Sequence, residues 1–197
     1  MTFEEYRYLV FSDLYRIVGD VKLSALVRYV LIGETYQYIF WWRTCVYARG
    51  NLLLCIWLYP ISRLMLRRYK FKHGISIPRT TQIGSGLYIG HVGNIVVNAG
   101  SVIGKNCNLF HGVSLLEGGF GENLGSPTIG DNTFIGPGAK VIGRVGIGNN
   151  VLISANSVAV RDVPDNAVVM GSPARVISYG GAARNILRAD YEDRLRR

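Results

Sequence analysis

Two hydrophobic rhythms divide this chain. Over residues 3–72 apolar and aromatic side chains recur at helical spacing: Leu14, Ile17, Val18 and Val21, then Leu23 to Val27, Tyr36 to Tyr47 and Leu52 to Leu66. That spacing keeps one face of an α-helix apolar, and it predicts helices broken at Gly19, Gly33 and Gly50. Pro60 either kinks the last of them or starts a new turn. After His73 and Gly74 an aliphatic residue returns every six positions, at Ile77, Ile83, Ile89 and Ile95. Two residues are then inserted, and the beat resumes at Ile103, Leu109 and Leu115. A break at 116–128 follows, and then Ile129, Ile135, Val141, Ile147, Ile153 and Ala159.

A period of six cannot stay in step with 3.6 residues per helical turn. It marks a β-solenoid in which each hexapeptide contributes a short strand, an inward aliphatic side chain and a turn. Small or branched residues four places on (Thr81, Ala99, Cys107, Val113, Thr133, Ala139, Val145, Val151, Ser157) fill the space beside it. Turns that need positive φ favour Gly and Asn, as in Asn149-Asn150 and Gly136-Pro137-Gly138. Three hexapeptides close one coil. The expected organisation is a helical region over 1–74, a repeat domain over 75–177 with an extruded loop at 116–128, and a tail over 178–197.

Composition sharpens the picture. With 49% hydrophobic and 18% charged residues the chain can bury a core, which excludes a disordered protein. Cys45, Cys55 and Cys107 form neither a disulfide framework nor a metal knuckle, so a reducing, cytoplasmic setting is expected. The net charge is +9, and most of it falls on residues 1–74, which hold 11 Lys/Arg against 5 Asp/Glu. Such a field attracts phosphate-bearing ligands or an anionic membrane surface. The N-terminus has acidic residues where a signal peptide would be basic. The longest apolar stretch, Leu52 to Ser62, is half a spanning length. Trp41, Trp42, Trp57 and many of the tyrosines crowd the helical half together with its basic residues. Core packing explains most of them, and peripheral membrane contact is the alternative. No nucleic-acid recognition motif is present.

The segments IGSGLYIGHVGNIVVNAGSVIGKN, SPTIGDNTFIGPGAKVIG and SVAVRDVPDNAVVMGSPARVI resemble the hexapeptide-repeat acyltransferases over residues 75–177. The likeness is strongest to the serine acetyltransferase branch, and FHGVSL with the short helical N-terminus resembles bacterial polysaccharide O-acetyltransferases of the colanic-acid type. The resemblance implies a mainly β fold, a left-handed parallel β-helix with an N-terminal helical cap and a short C-terminal helix. It also implies a homotrimer using acetyl-CoA, with no metal.

The period alone brings two histidines together. His91 lies two places after Ile89 and His111 two places after Leu109, so both project from equivalent corners of neighbouring coils. Residues 90–94 match the family's motif around its general-base histidine, which assigns His91 that role by resemblance. An imidazole titrating near neutrality suits removal of a hydroxyl proton. Backbone N–H groups near His111 to Leu115 are candidates for holding the oxyanion. His111 either contacts the acceptor, shares the base role or is a turn residue.

Departures from the family bear on the acceptor. The aspartate 15 residues before the base falls on Ser76, and the aspartate beside it on Gly90. The family's histidine 35 residues later falls on Ser126, and the arginine before that on Gly125. Ser76 can orient the imidazole without a charge, or Glu117 or a backbone carbonyl does so. Losing charges suited to a zwitterion favours an uncharged acceptor, so the expectation is acetyl transfer to a sugar or polysaccharide precursor. The alternatives are serine O-acetylation and a scaffold without catalysis. Glu117 and Ser126 are candidate acceptor contacts. By resemblance the pantetheine arm passes small side chains, Gly136, Ser154 and Ala155, with Pro173 and Arg175 of the G-x-P-A-R ending near the CoA phosphates. Lys140 is a further candidate, though ordinary surface charge explains it better. Two histidines without a partner carboxylate or cysteine make no zinc site.

Overall fold

The computed structural model describes residues 1–19, 21–119 and 124–195. Four helices come first: α1 (Phe3–Val18), α2 (Leu23–Ile32), α3 (Glu34–Arg49) and α4 (Leu52–His73). They end at the expected glycines. Gly19 closes α1 at φ 75°, Gly33 lies between α2 and α3, and Gly50 closes α3. Thr2 and Glu5 make a reciprocal cap at the start of α1, while the Asn51 side chain accepts from the Leu53 and Leu54 N–H groups. Helix α4 runs unbroken through Pro60, whose missing N–H sits on an exposed face.

Among the described residues fifteen short strands follow. In chain order they visit three sheets in turn: β1 (Ile75–Ser76), β4 (Ile95–Val97), β7 (Ser114–Leu116), β10 (Lys140–Ile142) and β13 (Val158–Ala159) in the first, β2 (Gln82–Ile83), β5 (Val102–Ile103), β8 (Thr128–Ile129) and β11 (Gly146–Ile147) in the second, β3 (Tyr88–Ile89), β6 (Asn108–Leu109), β9 (Phe134–Ile135) and β12 (Leu152–Ile153) in the third. The pairings among these strands are parallel, whereas β14 (Val168–Gly171) and β15 (Ala174–Ser178) pair antiparallel. A single bridge from Ile147 to Val163 stands where the second sheet would continue.

The hexapeptide beat sets this register. Ile83 pairs with Ile103 and Ile129 with Ile147, inward side chain over inward side chain. Ile89, Leu109, Ile135 and Ile153 form one buried column. Each such side chain contributes about 1.5–3 kcal/mol by leaving water. The predicted fillers Thr81, Cys107, Val113, Thr133, Ala139, Val145, Val151 and Ser157 are buried, while Ala99 is exposed. Asn106, Asn132, Asn150, Asn156 and Asn166 hold positive φ at corners. Two pairs of them bridge coils by side-chain amides, Asn106 to Asn132 at 3.2 Å and Asn150 to Asn166 at 2.8 Å.

Two details differ from the sequence reading. The partner of Ile95 in the first coil is Ile75, not Ile77, although Ile77 is also buried. Strand β4 (Ile95–Val97) absorbs the two-residue insertion, pairing downward through Ile95 and upward through Val97 with Leu115. The tail forms only a 3-10 turn at Ala183–Asn185 and helix α5 (Tyr191–Leu195) rather than one amphipathic helix. Arg188 at φ 55° interrupts any helix there, and Ile186 is buried against the body.

The helices cover the open end of the stack. Arg43 and Asp13, 2% and 0% exposed, meet at 2.9 Å. Arg43 also donates to the carbonyls of Ile83 (2.9 Å) and Gly84 (2.6 Å), and Asp13 accepts from the Leu87 N–H at 2.7 Å. Strand β2 is the edge of its sheet, so these carbonyls have no earlier coil to bond. Tyr38 hydroxyl accepts from the Ile77 N–H at 2.9 Å, and Trp42 indole donates to the Pro78 carbonyl at 3.3 Å. The aromatic side chains there supply bonds to an exposed backbone edge as well as apolar area.

Candidate active site

The corner after β3 (Tyr88–Ile89) carries His91, and the equivalent corner after β6 (Asn108–Leu109) carries His111. The two strands pair in register, so the corners stack. The imidazole centroids lie 5.9 Å apart, edge to face at 65°. Both side chains are exposed. The backbone beneath them is tied, with the Gly112 N–H donating to the Gly93 carbonyl and the Gly138 N–H to the His111 carbonyl. One face of His91 is backed by Phe110, 6.1 Å away between centroids, and Phe110 in turn packs on Phe134 at 4.9 Å. The stacking of the two histidines expected from the period is therefore present.

Phe110 also accounts for Gly90. A Cβ at residue 90 would lie 2.5 Å from the Phe110 ring, closer than any real contact. An aspartate beside His91 has no room while that ring is there. The sequence signal was the missing carboxylate, but its cause, a phenyl ring from the next coil, could not be read from spacing.

The other expected residues fall in several places. Ser76, on β1 (Ile75–Ser76), lines a cavity with Arg63, Arg67 and Lys70 of α4. Glu117 and Ser126, at the two ends of the loop, are joined through Asn98. Asn98 donates to Glu117 at 3.3 Å and accepts from Ser126 at 2.9 Å. The loop closes where Gly118 and Gly125 exchange backbone bonds at 3.1 Å, and residues 120–123 of its Gly-rich tip lie outside the described residues. Asn98 carried no motif that would have singled it out. Among the described residues no carboxylate approaches within 4.0 Å of His91 or His111.

Gly136 is buried, and a Cβ there would lie 2.8 Å from the Ala155 backbone nitrogen, so coil stacking itself uses its smallness. Ala155 is exposed and Ser154 half-buried on the coil above. Pro173 and Arg175 are exposed on and beside the antiparallel ribbon of β14 and β15. Lys140 is exposed and donates to the Gly138 carbonyl. The backbone donors expected for an oxyanion are largely taken. Gly112, Val113 and Ser114 N–H groups bond Gly93, Phe110 and Ala139 carbonyls, because the coil ladder and its turns claim them.

Two further titratable side chains in these coils and at their junction with α4 are buried. Burial pushes the Cys107 thiol up to about 12, so it stays protonated at neutrality. His73 is buried and stacked on Tyr69 at 5.4 Å, and burial, followed by the nearby Lys72 charge, lowers its pKa. Among the described residues no group of three His, Cys, Asp or Glu is placed to hold a metal ion, and no helix is long and apolar enough to cross a membrane.

Comparison with known proteins follows the same lines. The family model described as bacterial transferase hexapeptide (six repeats) matches residues 126–159. Serine acetyltransferase of Synechococcus elongatus is 38% identical over 132 residues, 64% of this chain and 53% of that protein. Serine acetyltransferase of Helicobacter pylori is 37% identical over 122 residues, 61% of this chain and 70% of that protein. The crystal structure of Neisseria gonorrhoeae serine acetyltransferase in complex with serine superposes with a TM-score of 0.71 at 27% identity, covering 89% of this chain and 70% of that one. The chain spans little more than half the length of several of the curated relatives it matches. These relatives overturn the sugar or polysaccharide acceptor expected from the lost charges, and with it the assignment to the polysaccharide branch. The departures at Ser76, Gly90, Gly125 and Ser126 are local changes within a serine acetyltransferase-like framework.

Proposed function

Because the chain belongs to the hexapeptide-repeat transferase family, we propose that it transfers the acetyl group of acetyl-CoA to the hydroxyl of serine, with His91 as general base. The observation that carries this reading is the exposed pair of imidazoles on stacked corners, 5.9 Å apart, within a fold shared with serine acetyltransferases. His91 takes the hydroxyl proton as the oxygen attacks the thioester carbon. The tetrahedral oxyanion then collapses and expels the CoA thiolate, which leaves as the thiol with the proton returned by the imidazolium. His111, on the corner stacked one coil on, holds the acceptor or the oxyanion.

An exposed base in one subunit needs a wall that excludes water. We assign that wall to the neighbouring subunit of a homotrimer of left-handed β-helices, with Gly136, Ser154, Ala155, Pro173 and Arg175 along the path of the CoA arm. With Gly90, Gly125 and Ser126 carrying no charge, serine is gripped more weakly than by a site with fixed charges at those positions, so KM for serine is high. The test follows CoA thiol release with acetyl-CoA as L-serine is raised. Serine-dependent release that falls about 10²–10⁴-fold in kcat for His91→Ala supports the reading. Absence of serine-dependent release at saturation, or release indifferent to His91→Ala, defeats it.

A further inference from the structure

Between the last turns of α4 and the first coil lies a cavity of about 470 Å³ lined by Arg63, Arg67, Lys70, Phe71, Ser76 and Arg79. Residues 63, 67 and 70 are spaced i, i+4 and i+7, so one helix face presents all three cations. Arg79 reaches the cavity from the other side and donates to the Tyr59 hydroxyl. The guanidinium groups of Arg63 and Arg79 lie 5.9 and 5.6 Å from the Tyr59 ring, which holds both over one aromatic surface.

Among the described residues no carboxylate lines this cavity. Among the described residues none of the four cations has a carboxylate within 4.0 Å. Some cations elsewhere are paired, as Arg43 with Asp13 and Lys105 with Glu192. Four like charges facing one concave space repel each other, and the low-dielectric walls strengthen the field there. An anion with several oxygens relieves that repulsion. Guanidinium forks match phosphate oxygens two at a time, and the Ser76 hydroxyl adds a donor. Phe71, Leu66, Ile77 and Pro78 supply an apolar wall for whatever carries the anion.

We propose that this cavity binds a phosphate or diphosphate group. It does so independently of acetyl transfer at His91. The carrier has two chemical sources, a soluble diphosphate or the headgroup of an anionic lipid. The second source has a physical basis in the same helix. Along the exposed side of α4, next to the cations, stand Leu53 (76% exposed), Trp57 (78%), Leu64 (69%) and Phe71 (72%), a mix of apolar, aromatic and basic side chains suited to a bilayer interface.

The test is binding, not activity. Inorganic pyrophosphate is titrated calorimetrically into the full chain at about 0.1 M salt, where surface charge is screened beyond ~10 Å. Vesicle flotation is run in parallel with phosphatidylglycerol and with phosphatidylcholine. The expected result is saturable pyrophosphate binding, weakened at least about tenfold in R67Q/K70Q and in R79Q, each retaining the wild-type circular dichroism spectrum. Arg184→Gln, an exposed charge on the tail, keeps wild-type binding. Flotation with phosphatidylglycerol alone, lost in R67Q/K70Q, identifies the lipid headgroup as the source. Pyrophosphate binding without flotation identifies a soluble ligand. Binding to neither probe, or binding unchanged in R67Q/K70Q, overturns the proposal.

Discussion

Replacing Gly90 by alanine tests whether the Phe110 ring shapes the corner that holds His91. The added Cβ would sit 2.5 Å from Cε1 and 2.7 Å from Cδ1 of Phe110, where ordinary carbon contacts are about 3.5–4.0 Å. The ring must move by roughly 1 Å to accept it. It cannot swing freely, since Phe134 lies 4.9 Å and Tyr88 6.3 Å from it. Overpacking of this kind costs about 1–3 kcal/mol. Displacement reaches His91, 6.1 Å from the same ring, and a misplacement of about 1 Å in a catalytic group lowers turnover about 10²-fold. The assay pairs urea unfolding at fixed protein concentration with thiol release, for G90A, F110L and the double variant. A smaller ring makes room for the methyl group, so the double variant should be more stable than the two single losses predict, by about 0.5–3 kcal/mol. Strict additivity, or a G90A protein as stable and active as wild type, would refute the account of why this position lacks a side chain.

Other expectations follow from the cap and the junction. Asp13→Ala strands the buried Arg43 guanidinium and leaves the Leu87 N–H without its acceptor, so urea unfolding should show a loss of about 3–5 kcal/mol. A loss under about 1 kcal/mol would mean that the pair does not hold the first coil. His73 has its pKa depressed in the folded state by burial and then by Lys72, so it adds stability above its unfolded pKa. That stability is lost as pH falls from about 6.5 through the depressed folded value. His73→Phe should keep the stack on Tyr69 and flatten this part of the Tm-against-pH curve; an unchanged curve would assign the dependence to other groups.

How much was legible in the chain differs between the two halves. The repeat could be read because every sixth side chain meets the same neighbour one coil on, as Ile89 meets Leu109 and Leu109 meets Ile135. The breaks at Gly19, Gly33 and Gly50 were legible for a similarly local reason, since they end or separate helices. The place of the short C-terminal helix at Tyr191–Leu195 was not, because burial of Ile186 and the turn at Arg188 depend on how the tail packs on the body. The acceptor was misread from four positions with missing charges; likeness over more than a hundred residues carries more information than four substitutions.

Periodicity in one dimension was enough to define the coil and to stack His91 over His111, because a regular winding turns sequence offset directly into spatial position. Contacts between units of different period obeyed no such rule. That Phe110 fills the space beside Gly90, that Asn98 joins Glu117 to Ser126, and that α4 sets three cations opposite Arg79 depend on how helices dock on coils and how loops fold back. Those arrangements arise from packing across distant parts of the chain, where no repeating offset relates one residue to its neighbour in space.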